Sequence, residues 1–182
     1  MFHHSTERLI DYWRARKRDA AAPLRATINP GDFLDLLPQV FILGRDRAGA
    51  YPMRLAGAFV SDLHGRDLRG EDSLGLWALS RRLEIKGALE TARRRAEPLV
   101  IDADIRAHGA PTLGLEVMLA PLGGADGQVD RFLGLYQPLA MMHRLMGRPA
   151  YELGVRRVQN LGPANEEAPR LRLAALDGRR IA

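Results

Sequence analysis

The sequence contains no cysteine among its 182 residues. This absence excludes disulfide bonds, thiolate metal sites, thiol nucleophiles and photochemistry through a flavin–cysteinyl bond. The sequence also lacks any apolar run near the roughly 18 residues that cross a bilayer. Its first residues do not pair a basic segment with an apolar one, as a secretory signal does. We therefore expect a cytoplasmic protein without a membrane span.

Lysine is scarce as well, since only Lys17 and Lys86 are lysines among 27 basic residues. The formal net charge is +5, and residues 140–182, with eight arginines and four acidic residues, carry +4 of it. Such a basic segment is typical of a solvated tail in an arginine-rich protein or of a surface for an acidic partner. The nearly neutral remainder contains no recognisable nucleic-acid-binding motif, so we predict no binding to nucleic acid.

Apolar periodicity predicts an amphipathic helix over residues 5–18. Leu9, Tyr12 and Trp13 fall on one face at helical spacing, opposite a face rich in arginine. This stripe must be buried, either against the rest of the chain or against a second protomer. The sequence leaves both alternatives open.

The middle of the chain alternates strands with one long helix. A short helical segment over 30–37 precedes two strand-like runs, 40–43 and 51–56, and a helical pattern covers 73–95. Three runs of alternating apolar residues then follow with short connections, which predicts an antiparallel meander over 99–106, 113–119 and 132–137. Residues 141–159 are compatible with one or two short helices.

We divide the chain into a helix and linker (1–22), a globular domain (23–140) and a basic, partly flexible extension (141–182). The stretch RLAGAFVSDLHGRDLRG, residues 54–70, joins the second strand to the long helix. Gly57, Gly65 and Gly70 supply turns there that a Cβ atom would obstruct.

The ordered motifs WRARK, LPQVFIL, YPMRLAGA, DLHGRDLRG, SLGLW and DRFLGLYQPL, over residues 8–139, resemble the PAS superfamily. In particular, they are similar to the small stand-alone PAS-domain proteins of alphaproteobacteria. The resemblance implies an α+β fold, with a five-stranded antiparallel sheet and the long helix across one face. It also implies a sensory or protein-interaction role rather than catalysis, and the remaining segments are too short for an output domain.

Arg81 is the most informative single residue, because a charge on the apolar face of the predicted long helix must pair or bind a ligand. One interpretation is an ion pair with Asp102 or Asp104. The other is an anionic ligand held between helix and sheet. The predicted pocket residues are Arg81, Trp77, Ile85, Met53 and Tyr136.

A second predicted site is an interaction surface on the sheet and the N-terminal helix. Its residues are Leu9, Tyr12, Trp13, Asp102, Asp104 and Glu116, the alternative for the charged ones being a solvated strand face. We predict no catalytic residue and no metal site, since five scattered histidines give no ligand spacing. We also predict no cofactor: haem-binding members of the resembled family usually ligate from the long helix, which lacks histidine, and His64 is interpreted as a turn residue.

Two functions follow from these patterns. The first is a signalling regulator that binds other proteins, with histidine-kinase pathway components as partners and a homodimer as a further possibility. The second is a sensor that binds a metabolite between the long helix and the sheet. A nucleic-acid or membrane binder is a distant third, because the body of the chain is neutral.

Overall fold

An antiparallel sheet organises the fold in the computed structural model, which describes residues 1–18 and 20–162. Its strands are β1 (Val40–Gly44), β2 (Met53–Ala56), β3 (Leu99–Ala107), β4 (Leu113–Gly123), β5 (Val129–Pro138) and β6 (Ala150–Asn160). They lie side by side in the order β2-β1-β5-β4-β3-β6, and every neighbouring pair is antiparallel. The predicted α+β class with an antiparallel sheet is confirmed, with six strands instead of five.

In residues 1–18 and 20–162, three α-helices and several 3₁₀ segments surround the sheet. The α-helices are α1 (His4–Lys17), α2 (Ala58–His64) and α3 (Arg82–Arg95). The 3₁₀ segments are Arg25–Thr27, Pro30–Gln39, Ser73–Leu76, Leu79–Arg81 and Met142–Leu145. No helix among the described residues is long and apolar enough to cross a membrane.

Strand alternation divides the core into two layers, one on each face of the sheet. Ile101 and Leu119 belong to the inner layer, which α2, the 3₁₀ segments after it and α3 cover. Val100 and Met118, their neighbours along the strands, belong to the outer layer beneath α1 and the segment 30–39. All four side chains are at most 2% exposed, so both faces of the sheet are buried at its centre.

The sixth strand corrects the prediction of short helices over residues 141–159. β6 pairs with β3 along most of its length, and its register shifts at two bulges. These bulges break the strict alternation that marks a half-buried strand. Leu153, Val155 and Val158 consequently stand two and three residues apart in the sequence, so they do not keep the period of two that identifies a strand.

The long helix is shorter than predicted, since α3 begins at Arg82 and not near Ser73. Trp77 takes an extended conformation and bridges to Leu153 of β6, and the Ala78 amide donates to the Leu153 carbonyl at 2.9 Å. Residues 77 and 78 therefore meet the edge of β6 between two 3₁₀ turns, and the segment 73–81 does not continue the helix. A contact with a distant strand has overridden the local helical pattern.

Two glycines fix the position of α2. A Cβ atom on Gly57 would lie 2.3 Å from the carbonyl oxygens of Leu37 and Pro38, so only glycine permits this close approach of two backbones. Gly65 ends the helix with φ of +64°, in the left-handed region that glycine enters without strain. The predicted turn roles of both residues match this geometry.

Candidate functional site

The space between α3 and the sheet, where we predicted a ligand pocket, is filled by side chains. Met53, Trp77, Ile85 and Tyr136 line it, and each is at most 4% exposed. The remaining cavity measures about 10 Å³, which is about the volume that one water molecule requires. Ligand pockets typically measure about 300–1,000 Å³. We call this filled region the interior space.

Arg81 lies outside the interior space, because α3 begins one residue after it. Its Nε atom is 2.6 Å from Oε2 of Glu84, and the Arg81 side chain is 42% exposed. Neither Asp102 nor Asp104 pairs with it. The predicted position on the apolar helix face is therefore wrong, since it assumed a continuous helix through residues 73–81.

One polar pair lies beside the interior space, formed by His64 of α2 and Tyr136 of β5. The Tyr136 hydroxyl and Nε2 of His64 are 3.5 Å apart, and His64 is 4% exposed. Burial lowers the pKa of His64 to about 4 and raises the pKa of Tyr136. Both side chains are therefore neutral at pH 7. The sequence indicated the turn after His64 but gave no sign that its imidazole is buried.

A charged network holds α3 against the hairpin of β1 and β2. The Glu90 carboxylate accepts hydrogen bonds from the Tyr51 hydroxyl (2.7 Å), Arg45 Nε (2.8 Å) and Arg93 Nε (3.0 Å). Burial alone would raise the pKa of Glu90, but these three donors outweigh it and lower the pKa to about 2. Glu90 is therefore ionised at neutral pH and fixes one end of α3.

The apolar stripe of α1 packs on the outer face of the chain's own sheet. Leu9 and Trp13 are 1% and 2% exposed, and the Trp13 indole Nε1 donates to the Pro121 carbonyl at 2.7 Å. Tyr12 is partly buried, stacks edge-on against Phe33 and accepts a hydrogen bond from the Asn29 amide at 2.9 Å. The stripe is therefore buried against the rest of its own chain, which is one of the two alternatives that the sequence left open, the other being a second protomer.

The three acidic residues of the predicted interaction surface are engaged within the chain. Arg157 of β6 donates to Asp102 at 2.7 Å, and the neighbouring Arg156 pairs with Asp104. The buried Glu116 carboxylate accepts from the His3 amide at 3.0 Å, at the start of α1. The structure thus places these residues on one sheet face, as predicted, but joins them to β6 and α1. Their role as an interaction surface stays a prediction.

Two surface grooves that sequence reasoning missed flank α2. The arginine groove measures about 800 Å³, and its polar lining comprises Arg54, Ser61, Asp62, Arg66, Asp67 and Arg69. The methionine groove measures about 220 Å³, and its lining comprises Phe59, Asp62, Leu63, Met142, Leu145, Gly147 and Arg148. The arginine groove forms within the continuous stretch 54–69, whereas the methionine groove forms between α2 and the loop after β5, about 80 residues apart in sequence. The one available signal was the cluster of three methionines between residues 141 and 146.

Among the residues that the structure describes, no group of three or more histidines and carboxylates is placed to hold a metal ion.

The chain was compared with curated proteins, with solved structures and with family models. A search of the curated proteins gives no match. Among solved structures, the Rhodobacter sphaeroides LOV protein aligns at 16% identity and a TM-score of 0.46, over 63% of this chain and 70% of that one. The LOV domain of the blue-light photoreceptor Aureochrome1 aligns at 13% identity and a TM-score of 0.47, over 65% and 88%.

A light-oxygen-voltage domain studied with a flavin analogue is also similar, at 14% identity and a TM-score of 0.47, over 63% of this chain and 86% of that one. The sequence comparison is more direct. The family model described as PAS domain matches residues 1–137, which is well over half of the 182 residues. On this match, the chain belongs to the PAS domain family.

Proposed function

We propose that this chain is a signalling regulator that acts by binding another protein, with histidine-kinase pathway components as the class of partner. PAS domains are sensory signalling modules, and the chain shares their fold. The observation that carries the proposal is that the chain has a filled interior and open grooves on its surface. The interior space retains about 10 Å³, whereas open grooves flank α2 on both sides. The proposal assigns no catalytic residue and no cofactor.

The proposal includes the finer resemblance that the sequence motifs suggest, to the small stand-alone PAS-domain proteins of alphaproteobacteria. It favours a cytoplasmic regulator whose own surface transmits the signal. A homodimer stays a prediction. The apolar face of α1 was one candidate for a dimer contact, but it packs on the sheet of its own chain.

In-cell photo-crosslinking tests the proposed function. A photoreactive amino acid is placed at Arg66 in the arginine groove, at Met141 beside the methionine groove, and at Asp126 on the β4–β5 turn as a control. We expect a histidine-kinase pathway protein to be captured from one or both groove positions and not from Asp126. Failure of both groove positions to capture such a protein, with the variants folded, would contradict the proposal.

A metabolite sensor is the second candidate, and the buried pair of His64 and Tyr136 favours it. A polar pair in an apolar core can provide the few directional contacts that orient a small ligand. Binding would require Trp77 and its neighbours to move, because the interior space as it stands is too small. A ligand retained by the wild type and lost in Tyr136→Phe would support this second function.

A further inference from the structure

The methionine groove presents an apolar floor and adaptable walls. Leu63 and Leu145 form the floor and are 5% and 4% exposed, while Met142 and Phe59 are partly buried against the core. Met141 and Met146, in the same loop between β5 and β6, are 72% and 61% exposed. Methionine side chains are flexible and polarizable, and they occur on surfaces that adapt to apolar partners. The groove is therefore suited to receive apolar side chains from outside.

The lining of this groove holds one charge of each sign, Arg148 and Asp62, and Arg144 beside it gives the rim a positive excess. Arg148 lines it and is held in place by donating from Nη1 to the His108 carbonyl at 2.7 Å. Arg144 is exposed in the same loop, and Asp62 is the one acidic residue among the lining residues that the structure describes. On the other side of α2, the arginine groove has three arginines in its lining and two aspartates, Asp62 and Asp67, which is again a positive excess. A partner with acidic side chains beside its apolar ones is complementary to this rim.

We propose that the methionine groove binds one amphipathic helix of a partner protein, with apolar residues in the groove and Asp or Glu residues facing Arg144 and Arg148. Helices dock in such grooves through apolar residues at helical spacing. The proposal rests on the proposed function, because it takes protein binding as the chain's mode of action, and it adds the surface and the chemistry of the partner.

The charge of the groove disfavours two other occupants, which are residues 163–182 of this chain and a second copy of the chain. Residues 163–182 carry four arginines and three acidic residues, so their charge has the same sign as the rim. A second copy of the chain carries the same net positive charge of +5. An acidic helix from another protein is therefore the occupant that the rim selects.

Methionine methyl NMR with two model peptides tests this proposal. The chain has six methionines, and the buried Met53 and Met118 serve as internal controls at 1% and 0% exposure. Both peptides have about 18 residues with leucines at helical spacing; one has glutamate and glutamine elsewhere, and the other lysine and glutamine. We expect the acidic peptide to shift the signals of Met141, Met142 and Met146 only, and to bind at least about tenfold more tightly than the basic peptide.

Two variants separate groove binding from general attraction. Met142→Glu places an acid in the groove, and Arg148→Glu reverses the rim; each should weaken binding of the acidic peptide at least about tenfold. Arg94→Glu, on the exposed side of α3, is the matched charge control and should leave binding nearly unchanged. Unshifted Met53 and Met118 signals show that each variant is folded.

Several outcomes would overturn the proposal. These are no shift with the acidic peptide, equal binding of the basic peptide, or equal weakening by the Arg94→Glu control. Shifts on dilution would assign the groove to a second copy, and shifts on deleting residues 163–182 would assign it to the chain itself. Shifts with anionic phospholipid vesicles but not with the peptide would assign it to a membrane. If any of these peptide, dilution, deletion or vesicle results is found while crosslinking still captures a kinase-pathway protein, the proposed function stands and the assignment of the methionine groove fails.

Discussion

Replacing Trp13 with alanine tests whether α1 is a layer of the fold or an appendage. Trp13 is 2% exposed and donates to the Pro121 carbonyl at 2.7 Å. Truncating a buried tryptophan costs about 3–5 kcal/mol, and the Pro121 carbonyl also loses its partner. We expect the free energy of unfolding to fall by about 3–5 kcal/mol, which is a large part of the ~5–15 kcal/mol typical of a domain.

Urea denaturation followed by far-ultraviolet circular dichroism measures this loss without relying on tryptophan fluorescence. Tyr12→Phe is the matched control: it removes only the hydroxyl that accepts from the Asn29 amide and should cost about 0.5–1.5 kcal/mol. Deleting residues 1–18 also removes Leu9 and Ile10, each worth about 1.5–3 kcal/mol, so the truncated chain should be largely unfolded. A Trp13→Ala variant within about 1 kcal/mol of the wild type would refute the packing of α1 on this sheet.

Three further predictions concern stability. Glu90→Gln should lower the free energy of unfolding by about 2–3 kcal/mol at pH 7. Because the pKa of Glu90 falls from 4.5 to about 2 on folding, the difference between wild type and variant should shrink as the pH drops from 4.5 toward 2. The pKa of His64 falls from 6.5 to about 4 on folding, so holding the imidazole neutral costs the folded state nothing above pH 6.5 and progressively more as the pH falls toward 4. The free energy of unfolding of the wild type should fall by about 2–4 kcal/mol between pH 6.5 and 4, and that of His64→Phe should fall by less. Denaturation curves that show the same loss for both proteins would contradict the burial of the imidazole. Deleting residues 163–182 should leave the melting temperature nearly unchanged, whereas deleting 150–182 should abolish cooperative unfolding because β6 is lost; an intact fold without β6 would contradict its structural role.

The elements that sequence predicted well are those with strict periodicity. Leu9, Tyr12 and Trp13 stand on one face of a short helix, and that face is buried. The alternating strands β3, β4 and β5 lie where the apolar residues placed them. In these segments the local pattern and the tertiary contacts favour the same conformation, so the sequence alone is sufficient.

The misplaced elements are those whose local pattern was overridden by a distant contact. Residues 73–81 read as helix, yet the bond from the Ala78 amide to Leu153 holds them against β6. This contact removes Arg81 from the predicted pocket. β6 itself was hidden by its bulges and by the adjacent Arg156 and Arg157, which pair with Asp104 and Asp102 across the sheet. No periodicity within either segment carries information about the other.

The predicted pocket shows a further limit of pattern reasoning. The sequence identified Met53, Trp77, Ile85 and Tyr136 as residues that meet between helix and sheet, and they do. Whether such residues enclose a cavity depends on how their volumes interlock, and hydrophobic spacing does not encode this. The grooves beside α2 were missed for a related reason, since a groove is a shape that depends on how the chain folds, within residues 54–69 for one groove and between α2 and the loop after β5 for the other.

Native mass spectrometry of the freshly purified chain, with an absorbance spectrum of the same sample, tests the central claim most directly. The chain's own side chains fill the interior space, with about 10 Å³ remaining, and we propose that the surface carries the function. We therefore expect the mass of the chain alone or with a bound protein, and no visible absorbance band. A small molecule retained in stoichiometric amount by the wild type and lost in Tyr136→Phe would contradict this.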